Sequence, residues 1–487
     1  MTPLPGPALL VGLPLLAAGV TYLVRRFSFV AALLSMWTTG SLALLCLYLP
    51  LDRSAYVLGR EIAFGRPIVV AGRTLALTAA GQTWLAFVFI LSTVLYLCAW
   101  RISPGRSFFP FSLTILSLYA LIVLVPTFSW AVLLLAISAA LMVLILQAGQ
   151  PGSIRGAQRY LVVALLAVPF LLAAAWFRDQ TVFYPENGDL VRYALLAAGM
   201  GFGLWLASFP FSTWMPAMAT EAPPVVAGFA LSVGQMMAVF VGLSFWRDLP
   251  SASDASVLSV IRLAGLVMGC AGGVMAAVQH DFGRLMGYAA LSDLGYLLMA
   301  LGLGSSQGPT LALLHGVNRA AGLTLFAAAL SIVRQQAATD QFTRLRGMGR
   351  RLPIATVGLM LGGMALAGFP GTAGFPTHWA ISRATWNWVQ ILSPFAQAGG
   401  SGEGLATGQE WMWWFTGFAL AASSAGIIIG MLRGLSAMLE SAPVQEKRRQ
   451  PLGASLIVLA LAALTIILGL YPQWFLEPVQ KAVQILF

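Results

Sequence analysis

Four side chains that can carry a charge lie inside long apolar stretches of this sequence: Asp293, His315, Arg319 and His378. Ionisable residues are costly within a membrane, and they usually pair with one another or mark the path of a proton or an ion. His315 and Arg319 are four residues apart, so they share one face of a helix. Histidine takes up and releases a proton near neutral pH. The four residues are therefore candidates for a functional site, and proton transfer is the chemistry that their types allow.

A purely structural interpretation is open for each of these residues. Asp293 could form an ion pair with Arg319 or with Arg284, and His315 could be a buried histidine with satisfied hydrogen bonds. Glu221 lies near the end of an apolar stretch, where capping the eighth helix or pairing with an arginine is favoured over conduction. His378 is the residue that we favour for chemistry.

The composition determines where these side chains must lie. Of the 487 residues, 59% are hydrophobic and only 9% are charged, whereas a soluble protein carries about 25% charged residues. The sequence therefore predicts an all-α polytopic membrane protein. The net charge of +11 is carried by 25 arginines and by Lys447 and Lys481. Most arginines fall between the apolar stretches, which indicates membrane topology and argues against nucleic-acid binding.

A membrane-spanning helix needs about 20 apolar residues, and we find fourteen candidate stretches. They run over residues 6–24, 27–50, 80–100, 108–126, 127–147, 158–177, 190–209, 224–246, 256–279, 284–304, 309–333, 353–382, 412–437 and 451–471. Connections after odd-numbered spans hold more positive charge than those after even-numbered spans. By the positive-inside rule both termini face the outer, periplasmic side of a prokaryotic inner membrane. Residues 55–77 fit an extramembrane hairpin.

The stretch from Phe209 to Pro224 interrupts the apolar pattern with four prolines. Irregular backbone at membrane depth usually lines a cavity or packs inside protein. The alternative is that Pro210 only kinks a helix and that residues 216–224 form an ordinary loop.

This interruption belongs to an internal repeat at an offset of 160 residues. The matching pairs are Phe209 with Phe369, Pro210 with Pro370, Pro216 with Pro376, Gly156 with Gly316, Arg159 with Arg319 and Leu165 with Leu325. The offset equals five spans, and an odd number of spans inverts the orientation. The pattern predicts two inverted five-helix repeats, spans 4–8 and 9–13, with broken helices 7 and 12.

The repeat divides the chain into four predicted regions. Residues 1–107 hold spans 1–3 with the hairpin, 108–250 the first five-helix repeat, 251–440 the second repeat, and 441–487 the last span and a tail.

Four segments resemble one family of membrane proteins. They are FPFSTWMPAMATEAP from Phe209, HDFGRLMGYAALSDLGYLLMALG from His280, LLHGVNRAAGLTLF from Leu313 and LAGFPGTAGFPTHW from Leu366. They resemble, in order, motifs of the antiporter-like subunits of respiratory complex I (NADH:quinone oxidoreductase) and of the Mrp cation/proton antiporters. The resemblance covers about residues 160–380, and its details are closest to the M-type subunit.

The resemblance implies proton transfer through two half-channels joined by a polar axis of Lys, His and Glu at mid-membrane. Most of those residues are substituted here. The glutamate of the fifth span falls near Ser138, and the lysines of the seventh and eighth spans fall on Trp205 and near Met236. The lysine of the eleventh span falls on Arg319, and the acid or lysine of the twelfth falls on His378.

The retained residues are fewer. His315 and Glu221 keep the family's residue types, and Asp293 replaces a position that is often His or Gln. Because both lysines lie outside every predicted span, no lysine relay can operate. Arginine stays protonated in proteins, so Arg319 can orient an anion or water but cannot pass on its own proton. Trp205 has no titratable group, and we therefore expect the N-terminal half-channel to be closed.

These patterns predict an antiporter-like membrane subunit of a complex I-type or related respiratory complex, with a scaffold or partial conduit role. An Mrp-type antiporter subunit is the alternative, and an unrelated solute carrier with the same repeat is a third possibility. Cys46, Cys98 and Cys270 are scattered, without metal-binding spacing. We expect no cofactor, no metal and no redox centre in the chain. The expected partners are other membrane subunits, the lipid bilayer and protons, without nucleic acid.

Overall fold

The computed structural model describes residues 3–57, 59–70, 72–102, 104–147, 154–249, 254–304, 307–392, 410–441, 452–474 and 476–477. Lys447 and Lys481, which the sequence places outside the spans, lie outside the described residues, as does the predicted boundary between residues 250 and 251.

The described chain is mostly helical. In order, its helices are α1 Gly6–Leu23, α2 Ser28–Tyr48, α3 Ala79–Arg101, α4 Phe108–Leu124, α5 Phe128–Leu146, α6 Arg155–Phe183, α7 Gly188–Trp205, α8 Trp214–Glu221, α9 Pro224–Phe229, α10 Gln235–Arg247, α11 Ala255–Ala277, α12 Phe282–Leu301, α13 Gln307–Ala337, α14 Met348–Arg351, α15 Pro353–Leu366, α16 Phe375–Leu392, α17 Glu410–Leu439 and α18 Leu452–Leu470.

Every one of the fourteen predicted stretches holds helix. A π-turn over Ala230–Gly234 joins α9 to α10 into one continuous span. Among the described residues, ten spans are long and apolar enough to cross a membrane, and the remaining positions hold shorter or less apolar helices. The predicted fold class, an all-helical polytopic membrane protein, is confirmed.

The region for which the sequence predicts one hairpin holds two short ones. Strand β2 Ser54–Val57 pairs antiparallel with β3 Arg60–Ala63, and β4 Ile68–Val70 pairs antiparallel with β5 Arg73–Leu75. The short strand β1 Leu4–Pro5 joins β3 in parallel.

The described residues form two compact units. One holds the described residues of 1–206 and 217–251, and the other holds those of 207–216 and 252–480. Within the first unit α1 packs on α4, α2 on α3 and α6 on α7. Within the second unit α11 packs on both α12 and α17, and α13 packs on α12 and α15.

Glycines bring α11 and α12 into close contact. A Cβ atom on Gly295 would lie 2.5 Å from the carbonyl oxygen of Gly265, and one on Gly272 would lie 2.5 Å from the amide nitrogen of Ser292. The Ser292 hydroxyl also donates to the Gly269 carbonyl oxygen at 2.8 Å. Because successive residues are about 100° apart around a helix, this contact turns Asp293 away from α11.

Both predicted helix breaks are present. Helix α7 ends at Trp205, Ala207 has a φ of 57°, and a 3₁₀ turn precedes α8. Helix α15 ends at Leu366, and α16 begins at Phe375. Between them Gly368 and Gly371 have φ values of 67° and 82°, a region that favours glycine.

Candidate functional site

The centre of the site is the Asp293 carboxylate on α12, of which only 1% is exposed. Arg319 on α13 donates from Nη1 to Asp293 Oδ2 at 2.8 Å and to the Ala290 carbonyl oxygen at 2.7 Å. Burying two ions costs several kcal/mol each unless they are paired and hydrogen-bonded. The pair meets that requirement, so the ion-pair partner of Asp293 is Arg319. Arg284 instead lies 3.7 Å from Asp281.

Asp281 lies outside the membrane-spanning segment, at the start of α12. Its Oδ1 accepts the Arg284 backbone N–H at 2.7 Å, which caps the helix. Burial raises the pKa of the Asp281 carboxyl above its usual range, while the hydrogen bond from Arg284 opposes this shift. Its role is to fix the end of the helix that carries Asp293.

His315 lies one helical turn before Arg319 and is fully buried. Its Nε2 is 3.0 Å from the Asp293 carbonyl oxygen and 3.4 Å from Asp293 Oδ1. A carbonyl oxygen can only accept a hydrogen bond, so Nε2 carries a hydrogen. His315 Nδ1 is 3.0 Å from Thr377 Oγ1. This assignment of the tautomer follows from the partners.

His378, on α16, carries its hydrogen on the other ring nitrogen from His315. Its Nδ1 is 3.0 Å from the Gly374 carbonyl oxygen, so Nδ1 carries the hydrogen. Its Nε2 lies 3.5 Å from Asp293 Oδ1 and has no hydrogen-bond partner among the described residues. The ring packs on Tyr296, with ring centroids 4.0 Å apart. When His378 is neutral and Asp293 is ionised, two acceptor atoms therefore face each other.

One additional proton resolves this conflict. A proton on His378 Nε2 would make that atom a donor toward the Asp293 carboxylate, and a proton on the carboxylate would make Asp293 a donor toward His378. Charge-assisted hydrogen bonds of this kind are about twice as strong as neutral ones. The arrangement can therefore accept and hold one proton beyond those of the Asp293–Arg319 pair.

Thr377 and Asn318 also belong to the site, and the sequence reasoning missed both. The Thr377 hydroxyl contacts His315 Nδ1 and lies 3.1 Å from the Gly374 carbonyl oxygen, and Asn318 Nδ2 donates to Thr377 Oγ1 at 3.3 Å. The signal that could have found Asn318 is its spacing of three from His315, which places both on one helix face. Thr377 is marked only by its position beside His378.

The same three ionisable residues could approach a metal ion. Asp293, His315 and His378 each offer one ligand atom, and these atoms lie within 4.8 Å of one another. Two imidazoles and a carboxylate are ligands that transition metals accept. The permanent positive charge of Arg319, 2.8 Å from the same carboxylate, opposes a divalent cation. The site is better suited to a single proton.

The other predicted positions lie in the first unit. Ser138 is buried in α5 and donates to the Leu135 carbonyl oxygen at 2.7 Å. Trp205 and Met236 are buried with 6% and 2% exposed. Glu221 accepts the backbone N–H of Gly156, at the start of α6, at 2.6 Å. This contact is with the start of the sixth span, whereas the sequence suggested a cap of the eighth helix or an arginine as the partner of Glu221.

Residues 120–402 match the family described as "NADH:quinone oxidoreductase/Mrp antiporter, TM". The NADH-quinone oxidoreductase subunit N of Chromohalobacter salexigens is 28% identical over 344 residues, which cover 66% of this chain and 67% of that protein.

Two solved structures share the fold. A chain of the Mrp complex from Dietzia sp. DQ12-45-1b superposes with a TM-score of 0.79 at 15% identity, covering 98% of this chain and 97% of the other. A chain of respiratory complex I from Thermus thermophilus superposes with a TM-score of 0.71 at 18% identity, covering 97% of this chain and all of the other.

Proposed function

Because the chain belongs to the family of transmembrane subunits of NADH:quinone oxidoreductases and Mrp antiporters, as its sequence predicts, we propose that it conducts protons through its C-terminal half only. In this proposal residues 251–440 form a partial proton conduit, and the N-terminal half is a closed scaffold. The sequence motifs that favour the M-type subunit remain a prediction, since the relative described above is an N-type subunit.

The observation that carries the proposal is the 3.5 Å approach of His378 Nε2 to Asp293 Oδ1. Two lone pairs that face each other in a buried site create a demand for one proton. A relay group must bind a proton and also release it, and an imidazole nitrogen with a free lone pair beside a carboxylate has the atoms to do both.

Each predicted residue then has a role. His378 takes and releases the proton, and Asp293 stabilises it there. His315 is the next acceptor at Nδ1, the ring nitrogen that faces Thr377, because its Nε2 already carries a hydrogen toward Asp293. Arg319 is the ion-pair partner of Asp293 and carries no proton of its own in the path. Glu221 has a structural role at the start of α6.

The closed N-terminal half rests on the substituted positions. Ser138, Trp205 and Met236 are buried and carry neither a carboxylate nor an amine. A buried indole fills space that hydrated side chains would otherwise occupy. None of these three described side chains changes its charge, so they provide no binding site for a proton at mid-membrane.

The complex that we propose is a complex I-type or related respiratory complex in a prokaryotic inner membrane. Support comes from the relative named NADH-quinone oxidoreductase subunit N. The alternative is an Mrp-type antiporter complex, since the matched family includes both. In either case the partners would be other membrane subunits and the surrounding lipid. The outer location of both termini follows from the arginine distribution alone.

Substitution of His378 tests the conduit. In His378→Gln the side chain keeps a hydrogen-bonding group but cannot carry the proton, and we expect proton translocation to fall by about 100-fold, the range of a lost acid–base group. The measurement is dye-detected proton movement in membrane vesicles that contain the intact complex. His280→Gln, at the exposed end before α12, is the matched control. Translocation that survives in His378→Gln would refute the conduit.

The proteins that copurify with the chain identify the complex. Subunits that hold flavin or iron–sulfur clusters would support the respiratory complex and exclude the Mrp alternative. A set of small membrane subunits without redox centres would support the antiporter complex instead.

A further inference from the structure

We propose that the Thr377 hydroxyl is a two-position switch that couples the protonation of His315 to the Gly374 carbonyl in the break before α16. Thr377 is then a positioning residue for the proton relay. This inference deepens the proposed function and rests on it.

The Thr377 hydroxyl has more acceptors than it has hydrogens. Oγ1 lies 3.0 Å from His315 Nδ1 and 3.1 Å from the Gly374 carbonyl oxygen. A hydroxyl has a single hydrogen, so it can donate to only one of them at a time. The residue is 1% exposed, so bulk water does not reach it to satisfy the other acceptor.

The protonation state of His315 determines whether the Thr377 hydroxyl donates to His315 Nδ1 or to the Gly374 carbonyl oxygen. Its Nε2–H is fixed on the Asp293 carbonyl oxygen, so neutral His315 presents a lone pair at Nδ1, and Thr377 donates to it. When a proton binds Nδ1, that atom becomes a donor to Oγ1, and the hydroxyl hydrogen must turn to Gly374. The step forms one N–H bond with the incoming proton and breaks no bond in the protein.

The second position of the switch reaches the other histidine. The Gly374 carbonyl already accepts His378 Nδ1–H at 3.0 Å. The same carbonyl oxygen also accepts the His378 backbone N–H at 2.9 Å. Protonation of His315 therefore adds a third donor to the carbonyl that orients His378, and this donor competes with the other two. Asn318 Nδ2, 3.3 Å from Oγ1, donates to the hydroxyl oxygen in both positions.

The charged and titratable groups around His315 are few. Helix α12 contributes Asp293 and Tyr296, α16 contributes His378, and α13 itself contributes Arg319. Helices α15 and α18 contain no titratable residue, and α17 holds them only near its ends. Few other charged groups can influence the protonation of His315, so an effect of a Thr377 substitution on His315 can be attributed to Thr377.

The experiment is nitrogen-15 NMR of the full-length chain in lipid bilayers, with labelled histidine. The chain has only three histidines, so each signal can be assigned. We expect neutral His315 to carry hydrogen on Nε2 and neutral His378 on Nδ1. In Thr377→Val the cation of His315 loses its acceptor, so the pH of its neutral-to-charged transition should fall by about one unit, a tenfold effect. Thr377→Ser should restore the transition.

The control is Thr385→Val on the same helix. Thr385 is also buried, and its hydroxyl has no hydrogen-bond partner among the described residues. We expect no change at His315 in this variant, and His280 should report an unaltered fold in all of them. If Thr377→Val does not fold, Thr377→Ala provides the same comparison.

An unchanged His315 transition in a folded Thr377→Val or Thr377→Ala variant would overturn the switch, as would failure of Thr377→Ser to restore it. A normal switch together with full translocation in His378→Gln would instead refute the conduit. The two proposals therefore fail on different measurements.

Discussion

The two halves of the chain share a broken helix but bury different chemistry. Among the described residues, every buried carboxylate, imidazole or guanidinium lies in the second unit; these groups belong to Arg262, Asp293, His315, Arg319 and His378. Among the described residues of the first unit, the buried polar groups are hydroxyls, an amide and indole N–H groups such as that of Trp84. Arg159 and Arg319 occupy matching positions of the repeat, yet Arg159 is exposed and Arg319 is 2% exposed.

This contrast shows that the broken helices and the buried ionisable side chains are separate features of the fold. The break between α7 and α8 persists although none of the buried carboxylates, imidazoles and guanidiniums of the described residues lies in spans 4–8, which carry this break. The break between α15 and α16 holds His378 against Asp293. A broken helix therefore creates space for a relay but does not require one, and the side chains that enter that space decide the function.

The largest expected effect is a difference in the free energy of unfolding between variants of Arg319 and Arg159, the two arginines at matching positions of the repeat. Arg319→Leu leaves the Asp293 carboxylate buried without its partner, and we expect the free energy of unfolding to fall by about 3–5 kcal/mol. Arg159→Leu removes an exposed side chain and should change it by less than about 0.5 kcal/mol. Denaturant unfolding of both variants in detergent measures the difference. Equal losses would remove the contrast between the halves.

A smaller effect is expected at the glycines of the second break. A Cβ on Gly368 would lie 2.5 Å from His378 Cγ, and the φ of 67° adds strain. Gly368→Ala should cost about 1–2 kcal/mol for the backbone and should also displace His378, lowering translocation by about tenfold. Gly371→Ala, with a φ of 82° and open space, should show the backbone cost alone. Similar translocation in the two variants would show that this packing does not position His378.

The smallest effect should come from the retained acid of the first half. Glu221→Gln keeps an oxygen that can accept the Gly156 N–H, so stability should change by about 1 kcal/mol or less. Proton translocation should stay within about twofold of the parent, as vesicle assays with a pH-sensitive dye would measure. A large loss of translocation would mean that the N-terminal half conducts, and the comparison between the halves would have to be abandoned.

The sequence predicts the helices well because the length of an apolar run and the width of a bilayer are directly related. The prolines and glycines likewise mark both breaks, since proline removes a hydrogen bond of the helix and glycine lowers its stability. Arg284 could have been excluded as the partner of Asp293 from spacing alone. Arg284 and Asp293 are nine residues apart on one helix, so their Cα atoms are about 13.5 Å apart along its axis. Arg319 lies on another helix, so this distance does not limit its approach to Asp293.

The detailed site could not be read from the chain in the same way. Thr377 and Asn318 act through hydrogen bonds between α13 and α16, and nothing in their local sequence specifies which helix faces meet. The opposite hydrogen positions of His315 and His378 depend on which carbonyl each ring meets. These contacts depend on how the helices pack. The glycine contact between α11 and α12 determines part of this packing, because it turns Asp293 toward its partners.

The neutral Asp293–Arg319 pair has a further consequence for a proton at this site. Asp293 is the twelfth of the 20 residues of α12, so a bilayer around this predicted span would have Asp293 near its middle. Since the pair has no net charge, each captured proton makes the site singly positive. Moving one elementary charge across the whole membrane changes its energy by about 2.3 kcal/mol per 100 mV of membrane potential. For a charge bound midway, the change is half of that. The occupancy of the site is therefore set by the membrane voltage as well as by pH.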